Sequence, residues 1–135
     1  MNREQYAHYV DLFHARDYDA VLDHYAPDGE FEVTFFGQSL RSRAEVKRFY
    51  GFFHDRVKEE ILVHQFISND QMVAAEVTVR ITAFADLTKE AAAEAGIDIE
   101  YPIANGQVLE VPQFVHYHLK DGKIVAALCA LFQPA

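Results

Sequence analysis

The sequence predicts an α+β fold, a cone-shaped curved antiparallel β-sheet wrapped around amphipathic N-terminal helices. Three observations carry this. Apolar residues recur at helical spacing in the first part of the chain, they alternate with period two through most of the rest, and turn signals separate the alternating runs. Helices and strands are therefore segregated, unlike the alternation that builds a parallel sheet. A length of 135 residues implies one domain over 1–135. With 50% hydrophobic residues, 11 Phe and 7 Tyr, the chain has enough aromatic surface for a core and for the lining of a cavity.

The first helix opens at Asn2, which with Gln5 has capping-box spacing, and Tyr6, Tyr9, Val10 and Phe13 fall at i, i+3, i+4 and i+7. Asp17 suits the N-cap of a short second helix carrying Val21, Leu22 and Tyr25, which APDG at 26–29 ends. Ser42 and Glu45 repeat the capping-box spacing. A third helix is expected from Ser42 to Lys58, with Val46, Phe49, Tyr50, Phe53 and Val57 on its buried stripe.

EFEVTFF at 30–36 alternates, with Phe31, Val33 and Phe35 on one face. ILVHQFIS at 61–68 and MVAAEVTVRITAF at 72–84 flank a turn at SNDQ. VPQFVHYHL at 111–119 and KIVAALCALF at 123–132 flank Asp121-Gly122, a strong two-residue hairpin signal. The long connection 86–106 carries helix formers from Lys89 to Ala95 and a stop at Gly96. It reads either as a lid or as an irregular edge.

The formal charge is −9 and no basic stripe occurs, which argues against nucleic acid and anionic membrane as partners. No apolar run approaches the roughly 18 residues of a membrane span. The segment MNREQYAHYV lacks the apolar core of a signal peptide, so a cytoplasmic location is expected. Cys129, the one cysteine, excludes an internal disulfide and reads as an inert core thiol.

The order of elements, with YVDLFHARDYDAVLDHYAPDGEF at 9–31, SRAEVKRFYGFF at 42–53 and LKDGKIVAALCALF at 119–132, resembles the SnoaL-like branch of the nuclear transport factor 2-like superfamily. Ketosteroid isomerase, scytalone dehydratase and polyketide cyclases belong there. The resemblance covers most of the chain except 86–106 and implies a cystatin-like, NTF2-like α+β barrel. Laid on the isomerases, Tyr9 falls on their oxyanion-binding tyrosine, and Tyr50 and Tyr25 fall on positions that support it in some members. A chain of phenols makes physical sense, because each hydroxyl strengthens the next as a donor. The isomerases' catalytic base is an aspartate, and its position here holds Val33. Their second oxyanion donor, a protonated aspartic acid, has its counterpart near Val115. Isomerisation by that pair of aspartates is therefore not expected.

His116 and His118 share one face of a strand, as in some metal sites, but no third ligand follows at a fitting spacing and no metal or other cofactor is expected. Anchoring on Asp121-Gly122 turns Val115, Tyr117 and Leu119 inward and places both histidines outside, on a face suited to a second copy of the chain. A one-residue bulge would reverse this. His64 is a candidate general base, because its ordinary pKa lies near neutrality, and His116 takes that role if the parity is reversed. His8, His14, His24 and His54 read as solvated.

The expected pocket is lined by Tyr9, Tyr25, Phe31, Val33, Phe35, Phe49, Tyr50, Phe53, Val115, Tyr117, Leu128 and Phe132. Its apolar walls with a few phenols suit a small hydrophobic molecule carrying one or two oxygens. Three readings follow. The first is a cofactor-independent isomerase, cyclase or dehydratase using Tyr9 and Tyr50 with His64 or His116. The second is a binding module without turnover, and the third is a dimerisation domain.

Overall fold

The computed structural model describes residues 1–35, 38–99 and 101–132, and the side chain of Phe35 lies outside that description. Helix α1 (Arg3–His14) begins with a closed capping box: Gln5 N donates to Asn2 Oδ1 and Asn2 N to Gln5 Oε1, each at 2.8 Å. Asp17 caps α2 (Tyr18–Leu22) by accepting from Ala20 N. Ser42 caps α3 (Arg43–His54) by accepting from Glu45 N at 3.2 Å. The Glu45 carboxylate reaches past the cap to Arg41 N at 2.7 Å, so this box stays half-formed.

Helix α3 stops at His54, short of the expected Lys58. Val57 is the first residue of a strand, paired with Ala83, and not the last of the helical stripe. The alternation Val57, Glu59, Ile61, Val63 fits a ladder, and ladder pairing with a long neighbouring strand overrides the modest helix propensity of this segment.

The strands are β1 (Glu32–Phe35), β2 (Gln38–Leu40), β3 (Val57–Ser68), β4 (Met72–Ala83), β5 (Val108–Lys120) and β6 (Lys123–Leu131). They form one curved sheet in the order β2-β1-β6-β5-β4-β3. Two features differ from expectation. β1 runs parallel to β6, so the sheet is mixed instead of antiparallel throughout. The sheet also stays open between β2 and β3, so no barrel closes. Strand β2 is too short to announce itself in the sequence. The β5–β6 hairpin turns at Asp121 (φ 51°) and Gly122 (φ 77°), the two positive φ values that a type I′ turn requires.

Two bulges set which side chains face the helices. His64 is the extra residue on β3, between the pairs Val63↔Val77 and Gln65↔Glu76. Val125 is the extra residue on β6, between Ala126↔His118 and Ile124↔Leu119. Inward positions are thus Val57 to Val63 by odd numbers and then Phe66 on β3, and Ile124, then Ala127 and Cys129, on β6. Helix α1 lies against this concave face, with Tyr6 stacked on Phe66 at 5.4 Å between ring centroids. His14 Nε2 accepts the Ile61 N–H at 2.9 Å, satisfying an amide of edge strand β3.

The connection between β4 and β5 holds helix α4 (Lys89–Glu94), capped by Thr88. Its base is zipped by Leu87 and Ile103, which exchange backbone hydrogen bonds of 2.8 and 2.9 Å. Leu87, Ala92, Ile97 and Ile103 are buried, so the segment packs as a wall of the core. No helix among the described residues is long and apolar enough to cross a membrane.

Because α3 depends on one hydroxyl for its N-cap, Ser42→Ala is expected to lower stability by about 1 kcal/mol. The check is a shift of the urea midpoint with an unchanged slope.

Candidate functional site

Helices α1 and α3, the concave face of the sheet and Asp98, Ile99, Tyr101 and Ile103 line a cavity of about 340 Å³. The structure brings Tyr9, Tyr25, Val33, Phe49, Tyr50, Phe53, Val115 and Tyr117 to its wall. Apolar residues from β3, β4 and β5, among them Ile61, Val77, Val79 and Val111, complete most of the surface. Asp98, Ile99 and Tyr101 line it from the long connection, and Gln38 donates a hydrogen bond to Asp98 O beside them.

Other expected lining residues lie elsewhere. Phe31 is buried behind Tyr25, ring edge to face at 5.2 Å, and does not line the cavity. Leu128 is 40% exposed on the outer face, directly opposite His116, because the Val125 bulge shifts the parity of β6. Phe132 stacks on Phe114 at 4.3 Å, also outside. The side chain of Phe35 lies outside the described residues.

Neither histidine expected as a base reaches the cavity. The bulge turns His64 outward, where Nε2 meets Thr78 Oγ1 at 2.7 Å. His116 and His118 are exposed on the outer face, and among the described residues no set of three His, Cys, Asp or Glu side chains is gathered for a metal.

The polar character of the cavity comes first from phenols. The Tyr9 and Tyr25 hydroxyls share a buried hydrogen bond of 2.7 Å. Tyr6 packs between Tyr9 and Tyr117, at 6.0 and 5.7 Å between ring centroids, and its hydroxyl has no hydrogen-bond partner among the described residues. Tyr50 sits edge-on to Phe13 and Phe49, at 5.3 and 5.2 Å.

Burial holds all these phenols protonated. It pushes Tyr6 up to about 12, with the neighbouring Tyr117 opposing the rise in part. Burial likewise raises Tyr9 and Tyr117, with nearby phenols adding, and raises Tyr25 against the effect of its bond to Tyr9. For Tyr50 burial acts first and the Glu59 charge second. At neutral pH these groups are hydrogen-bond donors and not bases. Cys129 lines the same space, and burial, with Glu59 adding, pushes its thiol up to about 12, which leaves it a poor nucleophile.

A second polar group went unread in the sequence. Glu59 lines the cavity, and its Oε1 lies 2.8 Å from His54 Nε2. His54 is 4% exposed, packed edge-on to Phe13 at 5.2 Å, and its Nδ1 lies 2.7 Å from the Tyr18 hydroxyl. Arg16 Nε donates to that hydroxyl at 3.2 Å and Arg16 Nη2 to Asp55 at 2.9 Å. His54 is therefore a core residue, not a solvated one. The available signal was its spacing: it falls four residues after Tyr50 and eight after Val46, on the apolar stripe. Glu59 was hidden by extending the helix to Lys58, since only a strand beginning at Val57 gives it inward parity.

A model of the SnoaL-like domain matches residues 6–127. The chain belongs to the SnoaL-like domain family. No functionally curated protein matches it. Among solved structures, it is similar to a proposed polyketide cyclase from Silicibacter sp. TM1040, with a TM-score of 0.74, 22% identity, and coverage of 96% of this chain and 87% of the other. A proposed polyketide cyclase from Xanthomonas campestris pv. campestris gives 0.69 at 23% identity, covering 90% and 82%. A SnoaL-like polyketide cyclase from Agrobacterium tumefaciens strain C58 gives 0.68 at 16% identity, covering 95% and 88%. At these identities the likeness is one of fold.

The raised phenols have a consequence for stability. The folded protein keeps protons that the unfolded chain releases above its ordinary tyrosine value of 10.0, so stability is level below that pH and falls as pH rises toward about 12. Phenolate absorbance at 295 nm is expected to show the buried tyrosines Tyr6, Tyr9, Tyr25, Tyr50 and Tyr117 ionising only together with loss of the near-ultraviolet dichroism of the fold.

Proposed function

We propose that this SnoaL-like protein takes up a small, largely apolar molecule with one or two oxygens and catalyses a cofactor-independent isomerisation, cyclisation or dehydration on it. The observation that carries this reading is the Tyr9–Tyr25 pair, neutral, buried and joined at 2.7 Å in a mostly apolar cavity. Two phenols bring two protons. One lies in the bond between them, and the other is left for an oxygen of the bound molecule. Removal of a proton next to a carbonyl moves negative charge onto that oxygen. A donor fixed in a water-poor site stabilises that charge more than water does. The family's similarity to polyketide cyclases is in keeping with such carbonyl chemistry.

Capture without turnover is a second reading, favoured by a specific observation. Val33 and Val115 both line the cavity, and by resemblance the isomerases' aspartates fall at Val33 and near Val115. The outer sheet face suggests a partner for either reading. Phe114 and Leu128 are each 40% exposed there, and we propose that a second copy of the chain covers them. Phe114→Glu is then expected to run as a monomer in light scattering where the parent runs as a dimer.

The probe for the cavity is 2-tetralone, a compact bicyclic ketone with one oxygen. Calorimetry should show one site per chain. The double variant Tyr9→Phe/Tyr25→Phe, which removes both hydroxyls and leaves neither unpaired, should bind about tenfold more weakly, as expected for one lost hydrogen bond. Absence of binding to the parent protein sinks the pocket reading.

A further inference from the structure

We propose that Glu59 is the proton carrier of this cavity, a catalytic carboxylate held by His54 and Tyr18 as positioning residues. The inference rests on the reading of the cavity as a site for a small carbonyl compound. Glu59 projects from the inward face of β3 into the same space as the phenols. His54 occupies one of its oxygens, at 2.8 Å, and no hydrogen bond among the described residues reaches the other. A base needs that arrangement, with one oxygen fixed and one open.

The order of donors is set from outside. Arg16 Nε donates to the Tyr18 hydroxyl, which leaves the phenol's own proton for an acceptor. His54 Nδ1 at 2.7 Å is a nearer acceptor than Tyr50 O at 3.3 Å. With Nδ1 accepting, the ring proton of His54 sits on Nε2 and is donated to Glu59. The imidazole is clamped among Phe13, Tyr18 and Tyr50, so the carboxylate it holds has little freedom.

Glu59 also has a route to solvent. A separate surface cleft of about 250 Å³ is lined by His14, Arg16, His54, Lys58, Glu60 and Glu59 itself. The same side chain thus borders an apolar chamber on one side and a polar cleft on the other. A carboxylate confined to the apolar side would be costly to ionise. Glu59 instead borders the apolar chamber on one side and a solvent-facing cleft on the other. A buried histidine–carboxylate pair is weak evidence for stability, since apolar replacements are often as stable. Its place at the junction of two cavities is what points to function.

The step balances without an oxidant or metal. The free Glu59 oxygen takes a proton from the carbon next to the carbonyl. The C–H electron pair becomes a C=C bond, and the carbonyl electrons move to the oxygen, which accepts a phenol hydrogen bond. The carboxylic acid then returns a proton to the same carbon or to a conjugated one.

The test is exchange of the α-protons of 2-tetralone in D₂O, followed by NMR, alongside calorimetric binding of the same compound. The parent is expected to exchange well above buffer. Glu59→Gln should bind within about twofold of the parent but exchange at least about a hundredfold more slowly, the lower range for a general base. Glu59→Asp keeps the charge, withdraws it by one methylene and should slow exchange about tenfold; it serves if the Gln variant does not fold. His54→Asn should slow exchange while binding holds, a split that a merely structural role would not give. Exchange at the parent rate in either Glu59 variant overturns the inference and leaves the pocket reading standing, as does a parent that binds without exchanging. Failure of the parent to bind removes both.

Discussion

Most of the cavity wall outside its helices belongs to one continuous sheet, so strand parity decides much of its chemistry. In a strand, alternate side chains face opposite ways, and one inserted residue exchanges the two sets. Two insertions do this here. His64 breaks the alternation of β3 after Val63, so Glu59 and Ile61 face the cavity before the bulge and Phe66 faces Tyr6 after it. Val125 breaks β6 between Ile124 and Ala127, which turns Cys129 in and Leu128 out. Without the first, the two ends of β3 could not both pack against α1. Without the second, Leu128 would fill space that Ala127 and Cys129 leave open.

The electrostatics follow from the same geometry. A mostly apolar chamber leaves charged groups poorly solvated, and the phenols respond by staying neutral. Neutral phenols can be packed against each other with no repulsion, which lets Tyr6, Tyr9, Tyr25 and Tyr117 crowd one region. Ionised carboxylates could not crowd in this way. Among the described residues, Glu59 on the wall stands where a polar cleft meets the chamber from the other side, with a histidine on one oxygen. Donors in the dry region and a carboxylate at its border divide the polar work by solvation.

The sequence showed most of this fold because local signals agreed with the tertiary outcome. The capping residues Asn2, Asp17 and Ser42 do what their positions imply, and Asp121-Gly122 makes the hairpin that places Val115 and Tyr117 inside. Phenols on α1 and α3 were legible from helical spacing. The errors cluster where one residue changes the answer. The helix boundary at His54 concealed Glu59, and the bulge at Val125 misplaced Leu128, since no glycine or proline marks either event. β1 joining β6 in parallel is a long-range pairing that no local pattern encodes.

Shared fold and separate chemistry are compatible for a physical reason. Any inward position of a curved sheet aims at the same small volume, so an acid–base group can enter from several strands without altering the backbone. In the resemblance drawn from the sequence, the isomerases' two aspartates fall at Val33 and near Val115. Both valines remain on the wall as apolar surface, on β1 and β5. Glu59, among the described residues, brings a carboxylate to the wall from β3, at the opposite end of the strand order from β1 and β2. On the proposed reading, a bound molecule whose oxygen meets the Tyr9–Tyr25 pair turns its acidic carbon toward β3. The position of that carbon relative to the oxygen, more than the size of the molecule, is then what the proposal has the cavity select.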